Sequence, residues 1–180
     1  MLIRRDRSLL LLVDIQQKLA PAIFAGDAAI ANNVRLLAGA RQLGIPRFVS
    51  EQYVRGLGAS VAAIRDAAGD ARFFEKMHFS CTGEPGVIEM LRATGRRQVI
   101  LTGMETHVCV LQSAFGLIEA GFTVFLVADA ASSRTAENRS AAIERMQAGG
   151  VHIVTTEMVL FEWLQQAGTD EFRALLPLIK

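Results

Sequence analysis

The sequence predicts an α/β protein with three α/β/α layers around a six-stranded, mostly parallel sheet. Short apolar runs, which are typical of strands, alternate along the chain with longer segments whose apolar residues recur at helical spacing. The run Leu9–Val13 is apolar without a break, as expected for a strand covered by helices on both faces. No repeat, linker or low-complexity segment divides the chain, so residues 1–180 are expected to form a single domain.

Six short apolar segments are predicted as strands. Pro46 is acceptable near the start of the second. Acidic residues, Asp14 and Asp129, lie at or next to the ends of the first and fifth. The predicted strands are Ser8–Ile15, Ile45–Ser50, Arg72–Lys76, Val99–Leu101, Phe122–Asp129 and Val151–Thr155. Because parallel strands need crossover connections, the helices between them are expected on both faces of the sheet.

The segments between the strands carry helix start and stop signals. Gly44 ends the first helix, Pro85 lies in the first turn of the third, and Gly149 follows the fifth. The predicted helices are Ala28–Leu43, Ser60–Ala68, Glu84–Ala93, a helix that begins near Thr106, Ala136–Gln147, Glu157–Gln166 and Asp170–Leu176. Glu51–Gly58 is predicted as a loop, and Ser132–Arg134 as a polar turn.

A strand that turns directly into a helix carries the candidate nucleophile. The apolar run Val99–Leu101 stops at Gly103, and helical periodicity begins at Val108. Thr106 occupies the position of an N-cap, which places Cys109 at about the third helical residue. Free backbone N–H groups and the helix dipole at that position favour a thiolate, the nucleophilic form. The sequence therefore predicts that Cys109 is a nucleophile.

Three reactive side chains are expected at one edge of the sheet. Asp14, Lys76 and Cys109 each lie at or just beyond the C-terminal end of a predicted strand, where open α/β sheets bind ligands. Asp14 can accept the thiol proton, Lys76 can balance the charge, and the N–H groups of Glu105 and Cys109 can bind an oxyanion. This arrangement suits thiolate attack that releases an amine, followed by hydrolysis of the thioester. Singly, the three residues are also compatible with packing, helix capping or simple solvation.

Composition and charge exclude several classes of protein. Hydrophobic residues make up 51% and charged residues 21% of the chain, which is typical of a packed globule. The net charge of +1 gives no indication of binding to nucleic acid or to an anionic membrane. No apolar run approaches the ~20 residues that span a bilayer, and Asp14 interrupts the first run, which argues against a secretory signal. Two cysteines in this context favour a reducing, cytoplasmic location.

Four segments resemble the isochorismatase-like cysteine hydrolases, a family that includes nicotinamidases and other small amidases. The similarity extends from about Leu9 to Trp163, nearly the whole chain. The segments are Leu11–Gln16, Glu75–Ser80, Leu101–Val110 and Val127–Arg134. Glu51–Gly58 further resembles the isochorismatase domain-containing branch of the family.

This resemblance implies the sheet order, the reactive residues and the assembly. It implies a doubly wound sheet with strand order 3-2-1-4-5-6 and a catalytic triad of Asp14, Lys76 and Cys109. It also implies a cis peptide bond between Met104 and Glu105, which would aim the Glu105 N–H into the oxyanion hole. Members of the family are commonly homo-oligomers, so a dimer or a larger assembly is expected.

Two departures from the family pattern restrict the activity. Nicotinamidases place an Asp-x-His pair after the second strand, with a further His, to hold a metal. Here Ser50–Tyr53 offers a single carboxylate, and His78, His107 and His152 show no ligand spacing, so we expect no metal and no cofactor. The isochorismate-cleaving members lack the nucleophilic cysteine, so Cys109 argues against vinyl-ether hydrolysis.

The resulting expectation is a cytoplasmic, metal-independent hydrolase that cleaves the C–N bond of a small amide through a Cys109 thioester. Two alternatives stay open: a metal-assisted nicotinamidase-type amidase, and a non-catalytic oligomeric binding or scaffold protein with the same fold. Tyr53, Phe79 and His107 are candidate pocket residues, with core packing as the alternative for Phe79. Cys81 either approaches the site or is a passive thiol.

Two acidic residues receive less defined roles. Asp129 is expected to cap the Ser132–Arg134 turn. The side chain of Glu105, if it faces the pocket, would favour substrates with a hydrogen-bond donor or a positive group.

Overall fold

A parallel sheet of six strands forms the centre of the molecule, which we describe from a computed structural model over residues 1–179. The strands are β1 Ser8–Val13, β2 Arg47–Gln52, β3 Arg72–Lys76, β4 Gln98–Met104, β5 Thr123–Ser132 and β6 His152–Val154. Their order is β3-β2-β1-β4-β5-β6, and every neighbouring pair is parallel. The α/β class and the strand order expected from the sequence are confirmed. The direction of winding changes between β1 and β4, which is where such sheets bind ligands.

Helices cover both faces of this sheet. They are α1 Gly26–Gln42, α2 Val54–Leu57, α3 Ala62–Ala68, α4 Val87–Arg92, α5 Leu111–Glu119, α6 Ala136–Ala148, α7 Thr156–Leu164 and α8 Asp170–Ile179. Residues of α1, α3, α7 and α8 share one hydrophobic core, and residues of α4, α5 and α6 share the other. Within residues 1–179, no helix has the length and apolar character needed to cross a membrane.

The strand β1 is apolar throughout because its two faces enter different cores. Leu10 and Leu12 lie in the core beneath α1, whereas Leu9, Leu11 and Val13 lie in the core beneath α5. All five side chains are fully buried. Successive strand residues point to opposite faces, so an unbroken apolar run anchors both helical layers. At about 1.5–3 kcal/mol for each buried aliphatic side chain, β1 is a major source of stability.

Three strands, β2, β4 and β5, end later than the sequence suggested. The fourth strand reaches Met104 rather than Leu101, and the changes in β2 and β5 alter the functional edge. β2 reaches Gln52, so Glu51 and Gln52 belong to a strand rather than to the expected loop. β5 extends to Ser132, beyond the expected end at Asp129. In each case pairing with a neighbouring strand holds the extra residues: Gln52 lies opposite Lys76, and Ser132 lies opposite Met104 after a bulge. Local composition did not indicate this pairing.

Asp129 has a different role from the expected one. Its Oδ1 accepts hydrogen bonds from the Thr156 N–H, at 2.8 Å, and from the Thr156 hydroxyl, at 3.0 Å. The carboxylate therefore holds the start of α7, and the prediction that it caps the Ser132–Arg134 turn is wrong. The longer β5 explains the difference, since Asp129 lies inside the strand and beside the β6–α7 connection.

The close approach of β1 and β4 requires a glycine at position 103. Gly103 has φ +116°, and a Cβ built on it would lie 2.0 Å from the carbonyl oxygen of Val13. No side chain fits at that distance from a backbone atom. The two strand ends that carry Asp14 and the turn to Cys109 are thus brought into direct contact.

Candidate active site

A buried ion pair lies at the C-terminal edge of the sheet. Asp14 follows β1 and Lys76 ends β3, and the Lys76 Nζ is 2.7 Å from the Asp14 Oδ2. Both side chains have zero exposure. Charges removed from water in this way are stable only when they are paired and hydrogen-bonded, which makes the surroundings of each group informative.

The Asp14 carboxylate is fixed by β2 as well as by Lys76. The Ser50 hydroxyl donates a hydrogen bond to the Asp14 Oδ1 at 2.6 Å, and the Asp14 N–H donates to the Ser50 carbonyl at 3.2 Å. Asp14 has φ +51°, a left-handed conformation that aspartate tolerates better than most residues. One carboxylate oxygen therefore faces the serine hydroxyl, while the other faces the ammonium.

The Lys76 ammonium has acceptors for all of its protons. Besides Asp14, it lies 2.6 Å from the Gln52 Oε1, 3.1 Å from the Phe79 carbonyl and 3.3 Å from the His78 carbonyl. An ammonium group has three donors, so these contacts saturate it. Lys76 is accordingly a fixed positive charge with no proton directed at an incoming substrate.

Cys109 lies in a π-helical turn, Thr106–Val110, between β4 and α5. The residue is 7% exposed, and the Asp14 carboxylate acts on the pKa of its thiol through charge and hydrogen bonding. The expected N-cap role of Thr106 is wrong: Glu105 occupies the cap position, and the Thr106 hydroxyl is buried without a hydrogen-bond partner in the described chain. The wider turn starts one residue earlier because the Glu105 carbonyl accepts from the N–H groups of both Val108 and Val110.

Burial and charge keep Cys109 in the thiol form at neutral pH. Burial, reinforced by the negative charge of Asp14, raises the pKa of the Cys109 thiol to about 12, and Lys76 only partly opposes this. Burial also raises the pKa of Asp14 against the lowering effect of Lys76, which makes Asp14 a stronger proton acceptor. For Lys76, burial lowers the pKa, but the charge and hydrogen bond of Asp14, together with Cys81 and Cys109, outweigh it, and the net shift is upward. The expectation that the helix start favours a resting thiolate is therefore wrong.

Two backbone N–H groups belong to the turn that carries the thiol. The Met104–Glu105 peptide bond is cis. The Glu105 N–H has no hydrogen-bond acceptor among residues 1–179, and the Cys109 N–H donates to no residue outside its own helical turn. Backbone N–H groups beside a thiol are the arrangement that an oxyanion formed on a neighbouring carbonyl carbon requires.

The three candidate pocket residues occupy different environments. Tyr53 and Phe79 are exposed, by 47% and 56%, so the core-packing alternative for Phe79 is wrong. His107 is more enclosed, and its Nδ1 is 3.0 Å from the Ser133 hydroxyl. Tyr53 follows β2 and Phe79 follows β3, so both lie near the same edge of the sheet as Cys109. Exposed aromatic side chains at this edge are available to a substrate or to another protein.

The Glu105 carboxylate is already paired. Its Oε1 accepts a hydrogen bond from the Arg134 Nε at 2.6 Å and lies 3.9 Å from the His107 Nε2. Arg134 is more than half exposed, whereas the Glu105 side chain is 15% exposed. The pair neutralises the negative charge that was expected to attract a positive substrate group.

Cys81 is a buried neighbour of the ion pair. It has zero exposure, and its N–H donates to the Ser113 hydroxyl at 2.8 Å. Burial and the Asp14 charge raise the pKa of the Cys81 thiol to about 11. Because Cys81 has zero exposure, a substrate cannot reach its sulfur, which favours the passive role.

The metal pattern of nicotinamidases has no counterpart in the described residues. Within residues 1–179, no group of three His, Cys, Asp or Glu side chains is arranged to hold a metal ion. Glu51, the one carboxylate in the corresponding stretch, accepts a hydrogen bond from the Ser60 N–H at 2.7 Å and lies 3.8 Å from Arg65. It therefore holds the loop that precedes α3.

Ser50 and Gln52 are site residues that sequence reasoning missed. Both are buried, and both contact the ion pair directly. Their spacing of two residues, directly after the apolar Phe48 and Val49, is the signal that was available, since it puts both side chains on one face of an extended strand. Because the predicted strand ended at Ser50, Gln52 was assigned to the following loop and its position beside Ser50 on the strand face was missed.

Residues 8–158 match the family model described as the isochorismatase domain. The chain is 42% identical over 168 residues to isochorismatase domain-containing protein 1 of Danio rerio, a match that covers 93% of this chain. It spans only 59% of the length of that relative.

Two solved structures share the fold closely. One is described as the MAR1 ribonuclease of Caenorhabditis elegans, with a TM-score of 0.94 and 34% identity over 99% of this chain and 92% of that one. The other is the YcaC gene product of Escherichia coli, described as an octameric hydrolase of unknown specificity. It has a TM-score of 0.92 and 25% identity, and the match covers 99% of this chain and 90% of that one.

Proposed function

The chain belongs to the isochorismatase family, and on that premise we propose that it hydrolyses the C–N bond of a small amide through a thioester on Cys109, without a catalytic metal. One observation carries the proposal. The buried Asp14 carboxylate lies 2.7 Å from the saturated ammonium of Lys76, and the same carboxylate raises the pKa of the Cys109 thiol. A carboxylate in that position has a thiol proton within reach and a neighbouring positive charge that does not compete for the substrate.

The first half-reaction forms the thioester. The Cys109 Sγ attacks the amide carbon while its proton passes to Asp14, because the thiol is not ionised at rest. The carbonyl oxygen becomes an oxyanion, which the N–H groups of Glu105 and Cys109 bind. Asp14 then returns the proton to the leaving nitrogen, the C–N bond breaks, and an amine or ammonia departs.

The second half-reaction releases the acid. Asp14, again a carboxylate, takes a proton from a water molecule that attacks the thioester carbon. The same two N–H groups bind the second oxyanion, and the C–S bond breaks as the proton passes to the Cys109 sulfur. Lys76 stays protonated throughout, since its three donors remain on chain acceptors. Its role is to hold Asp14 and to balance its charge.

The test is ammonia release from a panel of small amides. We expect turnover by the wild type, loss of turnover in Cys109→Ala, and retention in the matched control Cys81→Ala, which removes the other buried thiol. Turnover that survives in Cys109→Ala would contradict the mechanism. Activity that disappears after chelation and returns with zinc or iron would favour the metal-assisted nicotinamidase alternative instead.

RNA should be tested as a substrate with the same variants, because the Caenorhabditis elegans structure is described as a ribonuclease. We expect no cleavage of RNA that depends on Cys109. With a net charge of +1, the chain lacks the excess of basic residues that phosphate backbones usually attract. Cys109-dependent cleavage of RNA would replace the amidase proposal.

We also propose that the protein is a cytoplasmic homo-oligomer. Two free cysteines suit a reducing compartment. Large exposed side chains near the site, Tyr53, Met77 and Phe79, provide apolar surface of the kind that protein interfaces cover. The octameric YcaC protein shares the fold. Light scattering that gives the mass of a monomer at micromolar concentration would contradict the assembly.

A further inference from the structure

The side chain of Gln52 is held in one orientation beside the ion pair. Its Nε2 donates to the Met77 carbonyl at 2.9 Å, so its Oε1 must face the Lys76 ammonium, 2.6 Å away. An amide that uses its donor on one side can only accept on the other. Gln52 and Lys76 are also register partners in β2 and β3, so the strand pairing itself sets their separation.

Gln16 clamps the backbone of the same residue. The Gln52 N–H donates to the Gln16 Oε1 at 2.7 Å, and the Gln16 Nε2 donates to the Gln52 carbonyl at 2.9 Å. The Gln16 Nε2 also lies 2.6 Å from the Gly58 carbonyl, which ties the loop before α3 to this point. Hydrogen bonds therefore fix both the backbone and the side chain of Gln52, in addition to its contact with Lys76.

The neutral charge of Gln52 matters because little water reaches the site. Asp14, Lys76 and Cys109 form one charged cluster. While Cys109 is a thiol, the charges of Asp14 and Lys76 cancel, and the cluster is neutral. When the thiol loses its proton to solvent, the net charge of the cluster becomes −1. A carboxylate at position 52 would also accept from Lys76, but it would make the cluster negative before the thiol reacts. Like charges in a buried cluster oppose further ionisation.

We propose that Gln52 is a positioning residue that holds the Lys76 ammonium on Asp14 while keeping the cluster neutral before Cys109 reacts. This inference rests on the proposed function, in which Cys109 is the nucleophile. The charged and titratable groups that face the thiol are Asp14, Lys76 and Cys81, with Glu105 next to its own turn. Among these, Lys76 is the only positive group, so a negative charge added at position 52 would leave the thiolate more strongly opposed.

The experiment compares the alkylation of Cys109 by iodoacetamide in Gln52→Glu and Gln52→Met, with peptide mass spectrometry to separate Cys109 from Cys81. We expect Gln52→Glu to react about tenfold more slowly than the wild type between pH 7 and 9, since one unit of pKa is a factor of ten in thiolate. Gln52→Met adds no charge and should react within about threefold of the wild type. Gln147→Glu, the same change on the exposed face of α6, is the control and should be unchanged.

The ranking of Gln52→Glu and Gln52→Met by alkylation rate distinguishes a positioning role from a structural role that only supports the fold. Glutamate retains the shape and the acceptor, whereas methionine removes a 2.6 Å acceptor and leaves the ammonium with Asp14 and two longer carbonyl contacts, at 3.1 and 3.3 Å, so a structural role makes Gln52→Met the worse variant. Our proposal gives the opposite order of alkylation rates. A Gln52→Glu rate equal to the wild-type rate, or above that of Gln52→Met, would overturn it.

A second measurement covers the case in which Gln52→Glu does not fold. In ¹H–¹⁵N spectra, the Lys76 ammonium signal of the wild type should shift or broaden in Gln52→Met and stay unchanged in Gln147→Glu. An unchanged signal in Gln52→Met would overturn the proposal. Neither measurement needs a substrate, so turnover that persists in Cys109→Ala would refute the proposed function without deciding the role of Gln52.

Discussion

Replacing Ser50 with alanine tests whether the buried Asp14 carboxylate is held as the proposed base. The Ser50 hydroxyl donates a 2.6 Å hydrogen bond to the Asp14 Oδ1, and both residues have zero exposure. Hydrogen bonds to charged groups contribute about 1.5–3 kcal/mol, and bulk water does not reach a donor that has zero exposure. Loss of this bond disfavours the ionised carboxylate, so the pKa of Asp14 should rise by about 1–2 units.

The sign of the pH effect follows from the direction of the existing shift. Burial already raises the pKa of Asp14 above its ordinary value of 3.8. A carboxyl group that binds its proton more tightly in the folded state stabilises the fold fully below pH 3.8, and that stability is lost as the pH rises through the folded pKa. Ser50→Ala should therefore cost about 1.5–3 kcal/mol at pH 7 and only about 1 kcal/mol below pH 3.8, where Asp14 is protonated in both states.

Two assays measure this change. Urea unfolding at pH 7 and at pH 3.5 gives the loss in free energy of unfolding caused by Ser50→Ala at each pH. In the pH profile of kcat/KM, the acidic limb should move up by about 1–2 pH units, because Asp14 must be ionised to accept the thiol proton. Ser60→Ala is the matched control, since Ser60 is fully buried but its hydroxyl has no partner among the described residues. An unmoved acid limb in Ser50→Ala, with equal destabilisation at both pH values, would refute the assignment of Asp14 as the base.

Three further changes probe the surroundings of the site. Gly103→Ala should destabilise the fold by at least about 3 kcal/mol in urea unfolding, because its Cβ meets the Val13 carbonyl and φ is +116°. Arg134→Met should release the negative charge of Glu105, so amides with a positive group should gain in kcat/KM relative to neutral ones; an unchanged ratio would contradict this. Glu84→Gln should lower the free energy of unfolding in full above pH 4.5, because hydrogen bonds from His78 and Met77 lower the pKa of the partly exposed Glu84, and in urea unfolding this loss should disappear as the pH falls through that lowered value.

The sequence predicted the sheet well because the pattern of β1 admits few alternatives. A run such as Leu9–Val13 must be buried on both faces, and that requirement alone indicates a parallel sheet with helices on either side. Asp14 and Lys76 were placed at the same edge for the same reason, and the structure brings them to 2.7 Å. The strand order came from family resemblance, since periodicity does not encode which strands are neighbours.

The parts that sequence reasoning missed depend on pairing between distant segments. Gln52 continues β2 only because Lys76 lies opposite it, and Asp129 caps α7 only because β5 continues past it. A polar residue after an apolar run looks the same whether a strand ends there or continues along a neighbour. Ser50 therefore resembled the last residue of a strand and Gln52 part of a loop, although both contact the ion pair directly.

The protonation of Cys109 shows how burial reverses a local rule. At an exposed helix start, free N–H groups and the helix dipole lower the pKa of a thiol. Here the thiol is almost fully buried beside Asp14, and its pKa rises to about 12. A resting thiolate would make the cluster negative, whereas transfer of the proton to Asp14 during attack leaves the total charge unchanged. The low exposure that suppresses the free thiolate thus favours a mechanism in which proton transfer and attack occur together, with Lys76 fixed beside both groups.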